Sequence, residues 1–181
     1  MNHETIITTE RLILRTWKEE DVEVYFQINQ DPKVIEFLPG SLTIDQVRKF
    51  MEAMNRHQQD HSYTLWATEL KTSAAMIGFI GLNVVDFEAV FAPATEIGWR
   101  LGSQYWGNGY ATEGAKAALE YGFHQGGLNE IVSCTAYANL RSQAVMKRLG
   151  MLRDMQGDFA HSKLPLDHPL SKHLLYRLRK K

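Results

Sequence analysis

The segment Gln104-Tyr105-Trp106-Gly107-Asn108-Gly109-Tyr110-Ala111-Thr112 has the residue types and spacing best suited to chemistry. Gly107 and Gly109 allow positive φ and close backbone approach, so several amide N–H groups can turn into one concavity. Apolar periodicity from about Tyr110 to His124 predicts a helix directly behind them. The free N–H groups and partial positive charge at a helix start suit the loop to a phosphate or pyrophosphate. A plain strand-to-helix turn is the alternative, and two nearby glycines alone would favour it.

Three phosphate-loop patterns compete here. A P-loop needs Gly-x-x-x-x-Gly-Lys-Ser/Thr, and no Lys follows Gly109. A dinucleotide fingerprint needs a third small residue where this chain has Thr112. The pattern Gln/Arg-x-x-Gly-x-Gly/Ala is met in full by Gln104, Gly107 and Gly109. Other reactive side chains assemble less. His57 and His61 lie four apart without a Cys or carboxylate at matching spacing, so no metal site is expected. His161, His168 and His173 sit in or near a polar stretch and are candidate substrate contacts. The single Cys134 reads as a small buried hydrophobe on a strand, not as an acylated nucleophile.

The elements that must position this loop follow from periodicity. Residues 11–15 read as a strand, 19–29 as a helix stopped at Asp31-Pro32, and Thr43-x-x-Gln46 as the capping box of a second helix. Residues 63–67 and 76–85 suggest a hairpin, and 96–101 a further strand. After the helix come a strand at 131–138, a short helix at 140–149 closed by Gly150, and a last strand at 172–179. Hairpins thus mix with a crossover unit, which predicts an α+β (mixed α/β) fold.

Composition bounds the rest. The 181 residues are 44% hydrophobic and 23% charged, ordinary for one folded domain and unlike a disordered chain. A net charge of -1 argues against a dedicated nucleic-acid partner. The lone Cys134 and the polar N-terminus point to a cytoplasmic protein, and no run is long enough to cross a membrane.

The loop resembles the coenzyme A pyrophosphate loop of the GNAT N-acetyltransferases. The likeness also takes in Thr9-Glu10-Arg11-Leu12-Ile13-Leu14-Arg15, Glu96-Ile97-Gly98-Trp99-Arg100-Leu101, Trp106-Gly107-x-Gly109-Tyr110-Ala111-Thr112-Glu113, Asn139-x-x-Ser142 and Leu149-Gly150-Met151. It is similar to the branch that acetylates ribosomal-protein N-termini, and it runs from about residue 8 to 178 as one domain. The resemblance implies a central, mostly antiparallel sheet of six to seven strands with a splayed parallel pair, flanked by about four helices. It implies acetyl-CoA as co-substrate, no metal, and an amine acceptor met by a monomer or homodimer.

Residue by residue, the resemblance places pantetheine against the backbone of Trp99 and Leu101. Gln104 and the amides of Gly107, Asn108, Gly109, Tyr110, Ala111 and Thr112 hold the pyrophosphate. Asn139 contacts pantetheine, or caps the 140–149 helix, or does both. Many relatives carry a Tyr four residues before the closing glycine; Met146 stands there and cannot donate a proton. Ser142 takes the place of general acid, with Tyr137 in reserve. Glu96 is the first candidate base and Glu113 the second, although a first-turn glutamate commonly serves the helix dipole. An α-amine of pKa about 7.7–8.0 needs only a modest base, whereas a lysine amine near 10.4 needs more. The expected reaction is direct acetyl transfer to a primary amine, with a protein N-terminus as first acceptor. A polyamine, amino-acid or antibiotic acetyltransferase and a non-catalytic acyl-CoA-binding module are the alternatives.

Overall fold

The computed structural model describes residues 3–180. Its strands are β1 (Thr5–Thr8), β2 (Leu12–Arg15), β3 (Leu65–Leu70), β4 (Met76–Val84), β5 (Thr95–Leu101), β6 (Glu130–Ala136), β7 (Leu152–Ala160) and β8 (Lys172–Arg179). The helices are α1 (Asp21–Ile28), α2 (Pro32–Ile35), α3 (Ile44–His61), α4 (Tyr110–His124) and α5 (Leu140–Arg148). The strands form one sheet in the order β1-β2-β3-β4-β5-β6-β8-β7. Every neighbouring pair is antiparallel except β5 and β6.

The sheet therefore has eight strands and the fold five helices among the described residues, against the expected six to seven and about four. The additions have local reasons. β1 has only four residues, too few to show a period. β7 is an edge strand with mostly solvent-facing positions, polar and apolar mixed, and a register break, which hides its alternation. Asp31-Pro32 does follow the end of α1, but it also starts α2: the Asp31 carboxylate accepts the Lys33 N–H and Pro32 fills the first turn. The capping box of α3 is present as read, with Thr43 and Gln46 each accepting the other's backbone N–H.

Two cores clamp the sheet. α4 lays Ala115, Ala118 and Leu119 on Leu12, Ile80, Leu82 and Ile97, which are almost fully buried. On the opposite face α1 and α3 bring Tyr25, Val47 and Met51 against Trp17 and Phe79. Burial of this many large apolar side chains, about 1.5–3 kcal/mol each, fixes the sheet as a rigid platform. Arg15 locks α1 to it through a bidentate pair with Asp21, at 2.7 and 2.8 Å, and a 2.9 Å bond to Glu69. No helix among the described residues is long and apolar enough to cross a membrane.

Candidate active site

β5 and β6 share one register pair, Glu96 with Val132, and then part. Backbone direction along β5 follows from three bonds. The Gly102 N–H reaches Ile77 O on β4 at 2.9 Å, so even-numbered residues face β4. Ile97 O accepts from Ser133 Oγ at 3.0 Å and Leu101 O from Trp106 Nε1 at 2.8 Å, so odd-numbered residues face the other way. Trp99 lies between them. Its N–H and C=O turn into the opening between the two strands, where β6 has moved out of pairing range.

That opening continues into a cleft of about 870 Å³. The structure brings Trp99, Leu101, Gly107, Asn108, Gly109, Tyr110, Ala111, Thr112, Asn139 and Ser142 together along its walls. Gly107 and Gly109 take φ of +78° and +82°, the left-handed region that glycine enters without penalty. Gly109 caps α4, whose first internal bond runs from the Glu113 N–H to Gly109 O. The N–H groups of Tyr110, Ala111 and Thr112 precede that bond and so lack helical partners. Asn108 braces the loop, its Nδ2 donating to Tyr105 O and Trp106 O at 3.1 Å each.

On the facing wall, Asn139 caps α5. Its Oδ1 accepts the Ser142 N–H and its Nδ2 donates to Ser142 Oγ, both at 3.2 Å. Ser142 Oγ is thereby an acceptor, and its own hydrogen is left to point elsewhere. Met146, one turn on, is buried in the α4-side core, while Ala144 and Val145 reach the cleft.

Among the predicted cofactor and acid–base candidates, Gln104, Tyr137 and Glu96 lie off the cleft walls, and Glu113 lines them but is already engaged. Gln104 is exposed on the 3₁₀ turn Ser103–Tyr105 and folds back against Gly102. Tyr137 is exposed beneath Lys172, away from the cleft walls. Glu113 does line the cleft, but Thr9 Oγ1, the Arg11 N–H and Arg11 Nε all donate to it, at 2.6–2.8 Å. Against the opposing effect of partial burial, those donors hold its carboxyl below the ordinary carboxylate value. Glu96 is off this wall and accepts the Cys134 N–H at 3.1 Å and thiol at 2.9 Å. Burial raises the Glu96 carboxyl above its ordinary range. Burial and the adjacent Glu96 push the Cys134 thiol well up, which keeps it protonated.

Arg100 is one of the cleft residues that sequence reasoning missed. It lies between two candidates, Trp99 and Leu101, but nothing local marks its side chain as different from any strand arginine. Lys33, Phe37 and Arg141, from the α2 segment and α5, also reach the cleft. Arg141 stacks on Trp106, 4.7 Å from the ring centroid, and pairs with Glu36. No group of three or more His, Cys, Asp or Glu among the described residues is placed to hold a metal ion.

A parted parallel pair feeding a glycine loop and a helix start also marks a known family. The Acetyltransferase (GNAT) domain family matches residues 11–152. The chain belongs to that family. Membership places it among the N-acetyltransferases. The uncharacterized N-acetyltransferase YnaD of Bacillus subtilis (strain 168) is 30% identical over 149 residues, 82% of this chain and 83% of that protein. A GNAT-family acetyltransferase of Bacillus anthracis superposes with a TM-score of 0.76 at 26% identity, over 96% of this chain and 97% of that one. The ribosomal L7/L12 α-N-protein acetyltransferase RimL, solved in complex with coenzyme A, shares the fold. Its TM-score is 0.77 at 19% identity, over 97% of this chain and 98% of that one.

Proposed function

We propose that residues 8–178 act as one GNAT domain that transfers the acetyl group of acetyl-CoA directly to a primary amine. The first acceptor is a protein N-terminal α-amine. The observation that carries this reading is the outward-turned N–H and C=O of Trp99, beside the free donors of α4. An extended amide chain docks on such an edge as an added strand would, which suits pantetheine. The backbone of Leu101 and the side chain of Asn139 continue that track. The N–H groups from Gly107 to Thr112 suit a pyrophosphate. Gln104 joins them only by swinging away from Gly102. RimL and its coenzyme A complex lend the reading support through shared fold.

Acetyl-CoA supplies an acetyl group already activated as a thioester. The Trp99 N–H donates to the carbonyl oxygen as negative charge builds there. Ser142, its Oγ held by Asn139, donates its hydroxyl proton to the departing sulfur. The amine proton passes through water to Glu96, which lies off the cleft wall and is made more basic by burial. The walls of the cleft align the two reactants, which supplies much of the rate.

Calorimetry with acetyl-CoA, followed by thiol release with a panel of peptides and small amines, tests the proposal. Absence of acetyl-CoA binding would sink it. Binding without thiol release for any amine would favour a non-catalytic acyl-CoA-binding module.

A further inference from the structure

Arg100 carries a charge that no carboxylate among the described residues neutralises. Arg11, Arg15, Arg153 and Arg177 are likewise shielded from solvent to some degree, and each pairs with a carboxylate. Arg100 is the one non-exposed arginine among the described residues without such a partner. Its Nη1 donates to two neutral acceptors, Asn29 Oδ1 at 2.7 Å and Tyr25 Oη at 3.3 Å. The orientation of Asn29 is fixed from its other end, where Nδ2 donates to Tyr25 O at 2.7 Å. The guanidinium stands over Phe79, 5.6 Å from the ring centroid. These contacts hold a permanent cation in place and leave Nε and Nη2 without a protein acceptor among the described residues.

The position of this charge says which ligand it serves. Arg100 is an even-numbered β5 residue opposite Phe79, so its side chain lies on the α1–α3 face of the sheet. The glycine loop and the start of α4 belong to the other face. Arg100 still reaches the cleft, immediately after Trp99. A partly desolvated cation favours an anion far more than an exposed one does, and a guanidinium fork matches a carboxylate. The one acidic residue of the cleft wall, Glu113, is already taken by Arg11. The cleft therefore offers a cationic amine such as a polyamine no free carboxylate.

We infer that Arg100 binds a carboxylate of the acceptor, so that the substrate is a primary amine bearing an acidic group close to the nitrogen that attacks. This deepens the transfer reading and rests on it. Two sources share the chemistry: a free amino acid, and a peptide N-terminus with Asp or Glu in its first positions.

The test compares amino acids with their carboxamides, and Asp/Glu-started peptides with Asn/Gln-started ones, in wild type, Arg100→Met and Arg100→Lys. Methionine keeps an unbranched stem beside Phe79, its cross-strand neighbour. For the acidic acceptors, Arg100→Met should raise KM roughly 10- to 100-fold, as expected for loss of charged hydrogen bonds. The neutral acceptors and acetyl-CoA affinity should be unmoved, and Arg100→Lys should restore part of the loss. Calorimetric binding of the acetylated acid product in the presence of CoA should weaken in parallel. Which acidic set reacts identifies the source. Equal use of acidic and neutral acceptors by wild type overturns the inference while leaving acetyl transfer intact. So does an equal loss for both in Arg100→Met, which is the signature of a structural role. No turnover with any amine sinks the transfer reading and this inference with it.

Discussion

Asn139 holds Ser142 at two points, accepting its backbone N–H and donating to its hydroxyl oxygen, each at 3.2 Å. One side chain thus starts α5 and, by donating to Ser142 Oγ, leaves the hydroxyl hydrogen available to another acceptor. Ser142→Ala is expected to lower kcat roughly 100-fold, within the range for lost general-acid catalysis. Acetyl-CoA affinity by calorimetry should stay near wild type. Full kcat in this variant removes Ser142 from the chemistry. Asn139→Ala should also lose about 1 kcal/mol of stability through the missing cap.

Gly109 takes φ of +82° at the start of α4. An alanine there should cost about 1–2 kcal/mol in folding stability, the usual penalty for a left-handed L-residue. Relief of that strain tilts the loop's N–H donors, so acetyl-CoA affinity should fall about tenfold, or 1.4 kcal/mol. Denaturant titration and calorimetry read the two effects separately. Unchanged values in both would show that the left-handed cap is dispensable.

Cys134 donates its thiol to Glu96, and burial together with that carboxylate keeps the thiol protonated. An acyl-enzyme on this sulfur is therefore not expected. Cys134→Ala should retain kcat within about twofold, since no covalent step is lost. Intact-mass measurement after mixing wild type with acetyl-CoA alone should find no added acetyl group. A stoichiometric acetyl adduct that Cys134→Ala abolishes would reverse this conclusion.

His57, His161 and His173 all titrate below the ordinary histidine value, with burial the leading cause for each. His57 is tied at both ring nitrogens: Nδ1 bonds Tyr63 O at 2.7 Å, and Nε2 accepts the Val84 N–H at 3.3 Å. The folded state thus holds fewer protons than the unfolded chain once pH drops below about 6.5. Stability should be complete above that pH and decline as pH falls from it toward the lower folded-state values. Thermal melts from pH 8 to pH 5 should show the decline, and His57→Gln should flatten part of it. A Tm independent of pH over this range would contradict the assignment.

Much of the site is legible in the chain because its parts are local. Gly107-Asn108-Gly109 before an apolar-periodic helix, Asn139 three residues before Ser142, and Thr43 three before Gln46 are contacts within one turn. Residue spacing encodes them directly, as it does the order of the main strands and helices. β1, β7 and α2 were less legible, being short or set at an edge where polar positions blur the period.

Other features depend on groups far apart in sequence. The parting of β5 from β6 turns the Trp99 backbone outward, and that results from pairing across some 36 residues of chain. Glu96 is drawn to Cys134 and Glu113 to Arg11, contacts that no spacing rule forecasts. The glycine loop, the helix start and the cap that presents Ser142 are encoded locally, within a few residues of chain. Whether a charge is neutralised is a question of what packs against it. The open charge of Arg100 emerges only when α1 brings it Asn29 and Tyr25 instead of an acid.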